Sequence, residues 1–222
     1  QDLIVFGTID GQVAVSTLAR NELLAQTTAS MARRHRPDPV LGLGWFRQHP
    51  RCFVAGTSRG FLKIFSLAED RGELQTADVP FNQFGNLTSV SINCTDRLLL
   101  TSGYTNSAVI FDAETGKEAR SFPNIHAGHI NISRFANTSP HVFATSSFDR
   151  TVKTWDIRTP RDRPLYQCNS TEGLVMCTFC PNDCYILASA VDNEVTQYLA
   201  VDGREQLRLR IDKTGRPENF TR

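Results

Sequence analysis

Charge of one sign is what this 222-residue chain most lacks: 24 Lys and Arg stand against 23 Asp and Glu, a formal net charge of +1. That balance gives no electrostatic reason to expect a nucleic-acid or anionic-membrane partner. Long apolar runs are missing too. None approaches the roughly 20 residues that cross a bilayer, and Gln1 to Gly7 carries no basic stretch ahead of its apolar residues, so neither a span nor a signal peptide is read. Six Asn-x-Ser/Thr sequons, at Asn86, Asn93, Asn131, Asn137, Asn169 and Asn219, therefore carry no glycosylation meaning.

Catalytic signatures are also absent. The five histidines, His35, His49, His126, His129 and His141, fall in expected loops or strand ends, with no nucleophile elbow or triad pattern around them. Gly42-Leu43-Gly44 lies inside an expected strand running to Trp45, with no third glycine and no helix start behind it, so no phosphate loop is read. The six cysteines, Cys52, Cys94, Cys168, Cys177, Cys180 and Cys184, are unevenly spread in a chain too large to need stapling, and are expected reduced and mostly buried. That places the protein inside the cell, in cytoplasm or nucleus. Cys177, Cys180 and Cys184 tempt a zinc reading, but on a strand Cys177 and Cys180 point to opposite faces, about 10 Å apart at about 3.3 Å per residue. Zinc needs its thiolates about 2.3 Å from one ion. No enzyme, metal, cofactor or small-molecule substrate is expected.

What the chain does have is 40% hydrophobic residues, enough for a sizeable core, and an internal repeat. The clearest copy, His141 to Arg158, is an apolar strand, small polar residues, a turn at Asp149-Arg150 and an alternating strand ending in Trp155-Asp156. This pattern reads as a β-hairpin. Matching hairpins turn at Asp10, Arg59, Thr105 and Asp192, so the turn positions lie 49, 46, 44 and 43 residues apart. Six residues past each turn stand Ser16, Phe65, Phe111, Trp155 and Tyr198, aromatic in four of five copies. An alternating strand precedes each hairpin from the second on, at Val40 to Phe46, Leu87 to Ile92, Ile130 to Phe135 and Leu174 to Phe179. A more polar strand follows each, the fourth expected at Pro164 to Gln167.

Four antiparallel strands per repeat, with Gly128-His129 before one unit and Trp155-Asp156 closing it, resemble the WD-repeat β-propeller family. The resemblance implies an all-β chain with units near 1–29, 38–80, 84–123, 126–168 and 172–212. It also implies a longer parent, because about 19 strands are counted where a seven-bladed ring needs about 28. In the family a loop His, a strand Ser or Thr, a turn Asp and the Trp indole form a buried hydrogen-bond relay, which here implies His129, Ser147, Asp149 and Trp155. Arg59 and Thr105 replace the turn Asp in two other units, where packing alone is expected to hold the sheets.

Function must come from sites grafted on such a scaffold. The segment from Phe143 to Arg158 resembles the Trp-Asp-x-Arg box of WD-repeat substrate receptors, which implies docking onto the adaptor of a cullin-4 type RING ubiquitin ligase. Arg158 would be the main contact and Asp156 its positioner. Thr154 stands where that box usually has an aliphatic residue. The basic run Arg33-Arg34-His35-Arg36 is a second candidate contact, for an acidic partner or a phosphate backbone, although no companion stripe makes it a nucleic-acid footprint. The expected function is a non-enzymatic protein-interaction scaffold. The alternatives are a ligase substrate receptor through Arg158, or a structural subunit of a ribonucleoprotein or cytoskeletal assembly through Arg33, Arg34 and Arg36.

Overall fold

Short alternating segments punctuated by tight turns fold as strands throughout the computed structural model, which describes residues 3–19, 22–29, 38–68, 72–160 and 162–210. Nineteen strands and no helix occur among these residues, so none of them forms a helix able to cross a membrane. The first sheet has three strands, β1 (Leu3–Gly7), β2 (Gln12–Thr17) and β3 (Glu22–Thr28), in the order β1-β2-β3. Each later sheet is a four-stranded meander. The second runs β4 (Val40–Trp45), β5 (Cys52–Thr57), β6 (Leu62–Leu67) and β7 (Leu74–Thr76). The third comprises β8 (Leu87–Ile92), β9 (Leu98–Gly103), β10 (Ala108–Asp112) and β11 (Glu118–Phe122). The fourth comprises β12 (Ile130–Phe135), β13 (Val142–Ser147), β14 (Thr151–Asp156) and β15 (Tyr166–Asn169). The fifth comprises β16 (Leu174–Phe179), β17 (Tyr185–Ala190), β18 (Glu194–Leu199) and β19 (Glu205–Arg210).

The chain divides into two compact units, the first holding residues 1–101 and 110–119 and the second residues 102–109 and 120–222. The first two sheets lie in the first unit and the last two in the second, while the division passes through the third sheet.

The hairpin turns explain the repeat's register. The second turn residue is left-handed in four copies, with φ of 80° at Gly11, 86° at Gly60, 69° at Arg150 and 66° at Asn193. Glycine and asparagine adopt that region readily, whereas Arg150 does so against its Cβ. The position six past each turn is a core slot: Ser16, Phe65, Phe111, Trp155 and Tyr198 are all buried. In the first unit Phe65 pairs with Phe53 across β5 and β6 and stacks on it at 5.1 Å and 18°. In the second unit Trp155 pairs with Phe143 across β13 and β14 and stacks at 6.2 Å and 18°. The same slot thus makes the same cross-strand ring pair twice.

Two aspartates hold neighbouring turns together. Asp96, at φ 60°, accepts from the Arg47 and Gln48 amides at 2.8 and 2.6 Å. Asp183, at φ 56°, accepts from the Asn137 and Thr138 amides at 2.8 and 2.6 Å, and from the Thr138 hydroxyl at 2.6 Å. Burial pulls the Asp183 carboxyl upward, yet these bonds outweigh it and hold it below the ordinary 3.8. Asp183→Ala is expected to cost about 1–2 kcal/mol, the lower part of the range because water reaches this half-exposed turn. An unchanged thermal midpoint of the full-length protein would remove the turn lock from the account.

Two expectations need correction. The outer strand placed at Pro164 to Gln167 runs Tyr166–Asn169 instead, because Pro164 has no N–H for the ladder and Leu165 makes the first bond, to the Thr154 carbonyl at 2.7 Å. The cysteines are all free, but only Cys168 and Cys177 are buried, with Cys52, Cys94 and Cys180 half-buried and Cys184 exposed.

Candidate functional site

The second unit carries a buried polar chain in its fourth sheet. The loop before β12 places His126, 3% exposed, beneath the β13–β14 hairpin, and the Lys153 ammonium anchors that loop by donating to the Ile125 carbonyl at 2.8 Å. The Trp155 indole N–H donates to Thr145 Oγ1 at 2.9 Å, and Thr145 Oγ1 lies 2.7 Å from His126 Nε2. His126 Nδ1 lies 2.8 Å from Asp149 Oδ2. Asp149 also accepts from the Ala127 amide at 3.0 Å, the Thr151 amide at 3.0 Å and the Thr151 hydroxyl at 2.6 Å.

One protonation pattern satisfies every member. A neutral imidazole with Nδ1–H donates to Asp149, and its Nε2 accepts from the Thr145 hydroxyl, which accepts from Trp155 in turn. Burial drives the His126 ring below its ordinary 6.5, Asp149 opposes that, and Lys153 adds to it. Burial alone would raise the Asp149 carboxyl, but the His126 and Thr151 hydrogen bonds overcome it and hold the group well below 3.8. A charged carboxylate thus faces a neutral ring.

The family resemblance implied His129 and Ser147 for this chain, and the structure uses His126 and Thr145. His129 immediately precedes β12, where its carbonyl accepts from the Phe148 amide at 3.1 Å and its ring meets Tyr104 edge-on at 6.0 Å. Ser147 ends β13, so its hydroxyl reaches only the turn and accepts from the Asp149 amide at 3.1 Å. Thr145, two residues earlier on the same strand face, is the residue within reach of Trp155. Asp149 and Trp155 are the two ends of the polar chain.

The idea that packing alone holds the second sheet also fails. Fully buried Asp38 accepts from the Arg59 amide at 3.0 Å and the Ser58 hydroxyl at 3.2 Å, so a loop carboxylate ties down a hairpin turn that lacks its own. Asp38 escaped the sequence reading because it follows Pro37 in a basic run and belongs to no recognised motif.

Arg158 lies two residues past the end of β14, at the surface. Its side chain is 66% exposed, and the Asp156 carboxylate grips it: Nη2 donates to Oδ2 at 2.6 Å and Nε to Oδ1 at 3.0 Å. The Arg158 amide adds a bond to Oδ1 at 2.9 Å. These bonds hold the Asp156 carboxyl below its ordinary value and raise the guanidinium above its own. The fork is fixed in direction while most of it faces solvent, which suits hydrogen-bonded recognition on a partner. Arg33, Arg34 and Arg36 lie outside the described residues.

Nothing among the described residues gathers three His, Cys, Asp or Glu side chains in a metal-holding arrangement. Burial pushes the Cys177 thiol up to about 11 and the Cys168 thiol up to about 12, which keeps both protonated. An open cleft of about 650 Å³ in the first unit is lined by Phe46, Ile64, Val79, Asp96 and Asp112 among others. Those carboxylates are occupied by the chain's own turns, Asp96 as described and Asp112 with the Thr115 amide and hydroxyl, both at 2.7 Å.

Repeated four-stranded meanders, one tied by an Asp–His–Thr–Trp chain under a closing Trp-Asp strand, define a WD-repeat β-propeller protein. Residues 119–156 match the family described as WD domain, G-beta repeat. Over 226 positions, 99% of this chain, it is 40% identical to Protein DWD HYPERSENSITIVE TO UV-B 1 of Arabidopsis thaliana, and it spans 28% of that protein's length. It is 29% identical over 86 residues, 39% of the chain and 20% of the relative, to a Ribosome biogenesis protein WDR12 homolog of Nematostella vectensis. A homolog of the same name from Anopheles gambiae is 26% identical over 147 residues, 64% of this chain and 33% of that protein. The chain belongs to the WD-repeat family.

Proposed function

We propose that the chain works as a non-enzymatic platform for contacts with other proteins, inside the cell. The observation that carries this reading is Arg158, a guanidinium fixed by Asp156 yet 66% exposed. A fixed fork that stays in solvent has donors left for a partner's carboxylates or carbonyls.

A more specific reading is that the chain is a substrate receptor docking onto the adaptor of a cullin-4 type RING ubiquitin ligase, with Arg158 as the main contact and Asp156 as its positioner. Two observations support it: the Trp155-Asp156-x-Arg158 box is closed by its own ion pair, and the relative covering 99% of the chain carries DWD in its name. Thr154, the departure from the usual box, is 1% exposed and packed inward, so it leaves the outward face of the box unchanged.

Affinity purification of the full-length protein from its native cells, beside Arg158→Ala, tests both readings. The expected result is the adaptor recovered with wild type, lost by about thirtyfold or more with Arg158→Ala as for an interface arginine hot spot, and an unchanged thermal midpoint. Partners recovered equally with both proteins, the adaptor not among them, would leave the platform and reject the receptor. Pre-ribosomal particles among those partners would instead favour the ribonucleoprotein reading, through the basic run of Arg33, Arg34 and Arg36.

A further inference from the structure

The arginine-bearing turn is held by a second arginine that no sequence pattern singles out. Arg120, on β11, sends its guanidinium to residues 157–162. Its Nη1 donates to the Ile157 carbonyl, and its Nη2 donates to the Thr159 carbonyl at 2.8 Å and to Asp162 Oδ1 at 2.9 Å. The guanidinium carbon stands 4.5 Å from the centre of the Phe122 ring, and the side chain is 24% exposed. The two arginines have different roles: Arg120 spends its donors on two carbonyls and the Asp162 carboxylate, whereas Arg158, gripped on one side by Asp156, leaves most of its side chain exposed.

The turn's remaining bonds leave those carbonyls to Arg120. The Ile157 amide donates to His141 at 3.0 Å, the Thr159 amide to Asp156 at 3.1 Å and the Arg158 amide to the Asp156 carboxylate. Those bonds fix the N–H side of the turn. On the carbonyl side, Arg120 bridges the residues immediately before and after Arg158, so it sets the plane from which Arg158 leaves the chain. A lysine has a point charge where this geometry uses a planar fork.

We propose that Arg120 is a second positioning residue of Arg158, beside Asp156: by clamping the Ile157 and Thr159 carbonyls and Asp162, it holds the docking fork in its partner-ready direction. This rests on the reading of Arg158 as the adaptor contact. It adds that binding strength depends on a residue from the preceding repeat that touches no partner.

The test uses the full-length protein as wild type, Arg120→Ala, Arg120→Lys, Arg158→Ala and the Arg120→Ala/Arg158→Ala double variant. Amide exchange of Arg158 and Thr159 is read alongside titration of the purified ligase adaptor. Losing charge-assisted bonds of this kind is worth about tenfold or more. Arg120→Ala is therefore expected to speed exchange at both amides by that factor and to weaken the adaptor about tenfold, with Arg120→Lys in between. With Arg158→Ala already present, Arg120→Ala should cost no further affinity. Unchanged exchange overturns the proposal, and so does an equal loss of affinity with or without Arg158, which would mean general loosening. If wild type does not bind the adaptor at all, the receptor reading fails. The exchange data alone then decide the clamp, faster exchange sustaining it and unchanged exchange ending it.

Discussion

Trp155→Ala is expected to destabilise the fourth sheet by about 3–5 kcal/mol, the range for truncating a buried aromatic residue. The indole is 1% exposed, stacks on Phe143, meets Phe122 edge-on at 6.1 Å and ends the polar chain through Thr145. Truncation therefore opens a cavity among rings and leaves the Thr145 oxygen without its donor. Trp155→Phe separates the two losses, because it keeps a ring in the slot that Phe65 and Phe111 fill in other repeats. Its cost should stay near the hydrogen-bond share, about 1–2 kcal/mol. Denaturant unfolding of the full-length proteins checks both values, and equal costs for the two variants would show that the indole N–H, not the packing, dominates.

Asp149→Ala should cost about 2–3 kcal/mol, because it strands the His126 ring N–H, the Ala127 amide and both Thr151 donors beneath a half-closed turn. The same pair fixes the acid response. Both His126 and Asp149 have folded values below their ordinary ones, 6.5 and 3.8. Above pH 6.5 the ring is neutral in the folded and unfolded chains alike, and its contribution is fully present. As pH falls through 6.5 the unfolded chain takes up the proton first, so stability falls. A second loss follows below 3.8, when the unfolded carboxyl protonates ahead of Asp149. The difference between wild type and His126→Gln, measured by denaturant unfolding at pH 7.5, 6 and 5, isolates the ring. That difference should shrink on acidification. Growth instead would mean a charged imidazole paired with Asp149.

The repeat was legible because its determinants are local. Alternation, turn residues and one aromatic slot per unit recur at fixed offsets, and β8, β12 and β16 begin and end where the pattern placed them. The buried chain was half legible. Asp149 and Trp155 lie in the hairpin, whose register sequence fixes, but the choice between His126 and His129 depends on how the seven-residue loop from β11 to β12 folds beneath the turn. Thr145 and Ser147 share a strand face, so alternation could not separate them; the reach of the indole did. Asp38 and Arg120 were illegible for another reason. Each acts on a turn 20 or more residues away through backbone groups, and backbone partners leave no trace in residue type.

The central claim is that the turn after β14 presents Arg158 to a protein partner. Calorimetric titration of the cullin-4 ligase adaptor into purified full-length wild type and Arg158→Ala tests it most directly. The account predicts saturable binding to wild type, weakened about thirtyfold or more in the variant with its thermal midpoint unchanged. Equal affinity for the two proteins would contradict it.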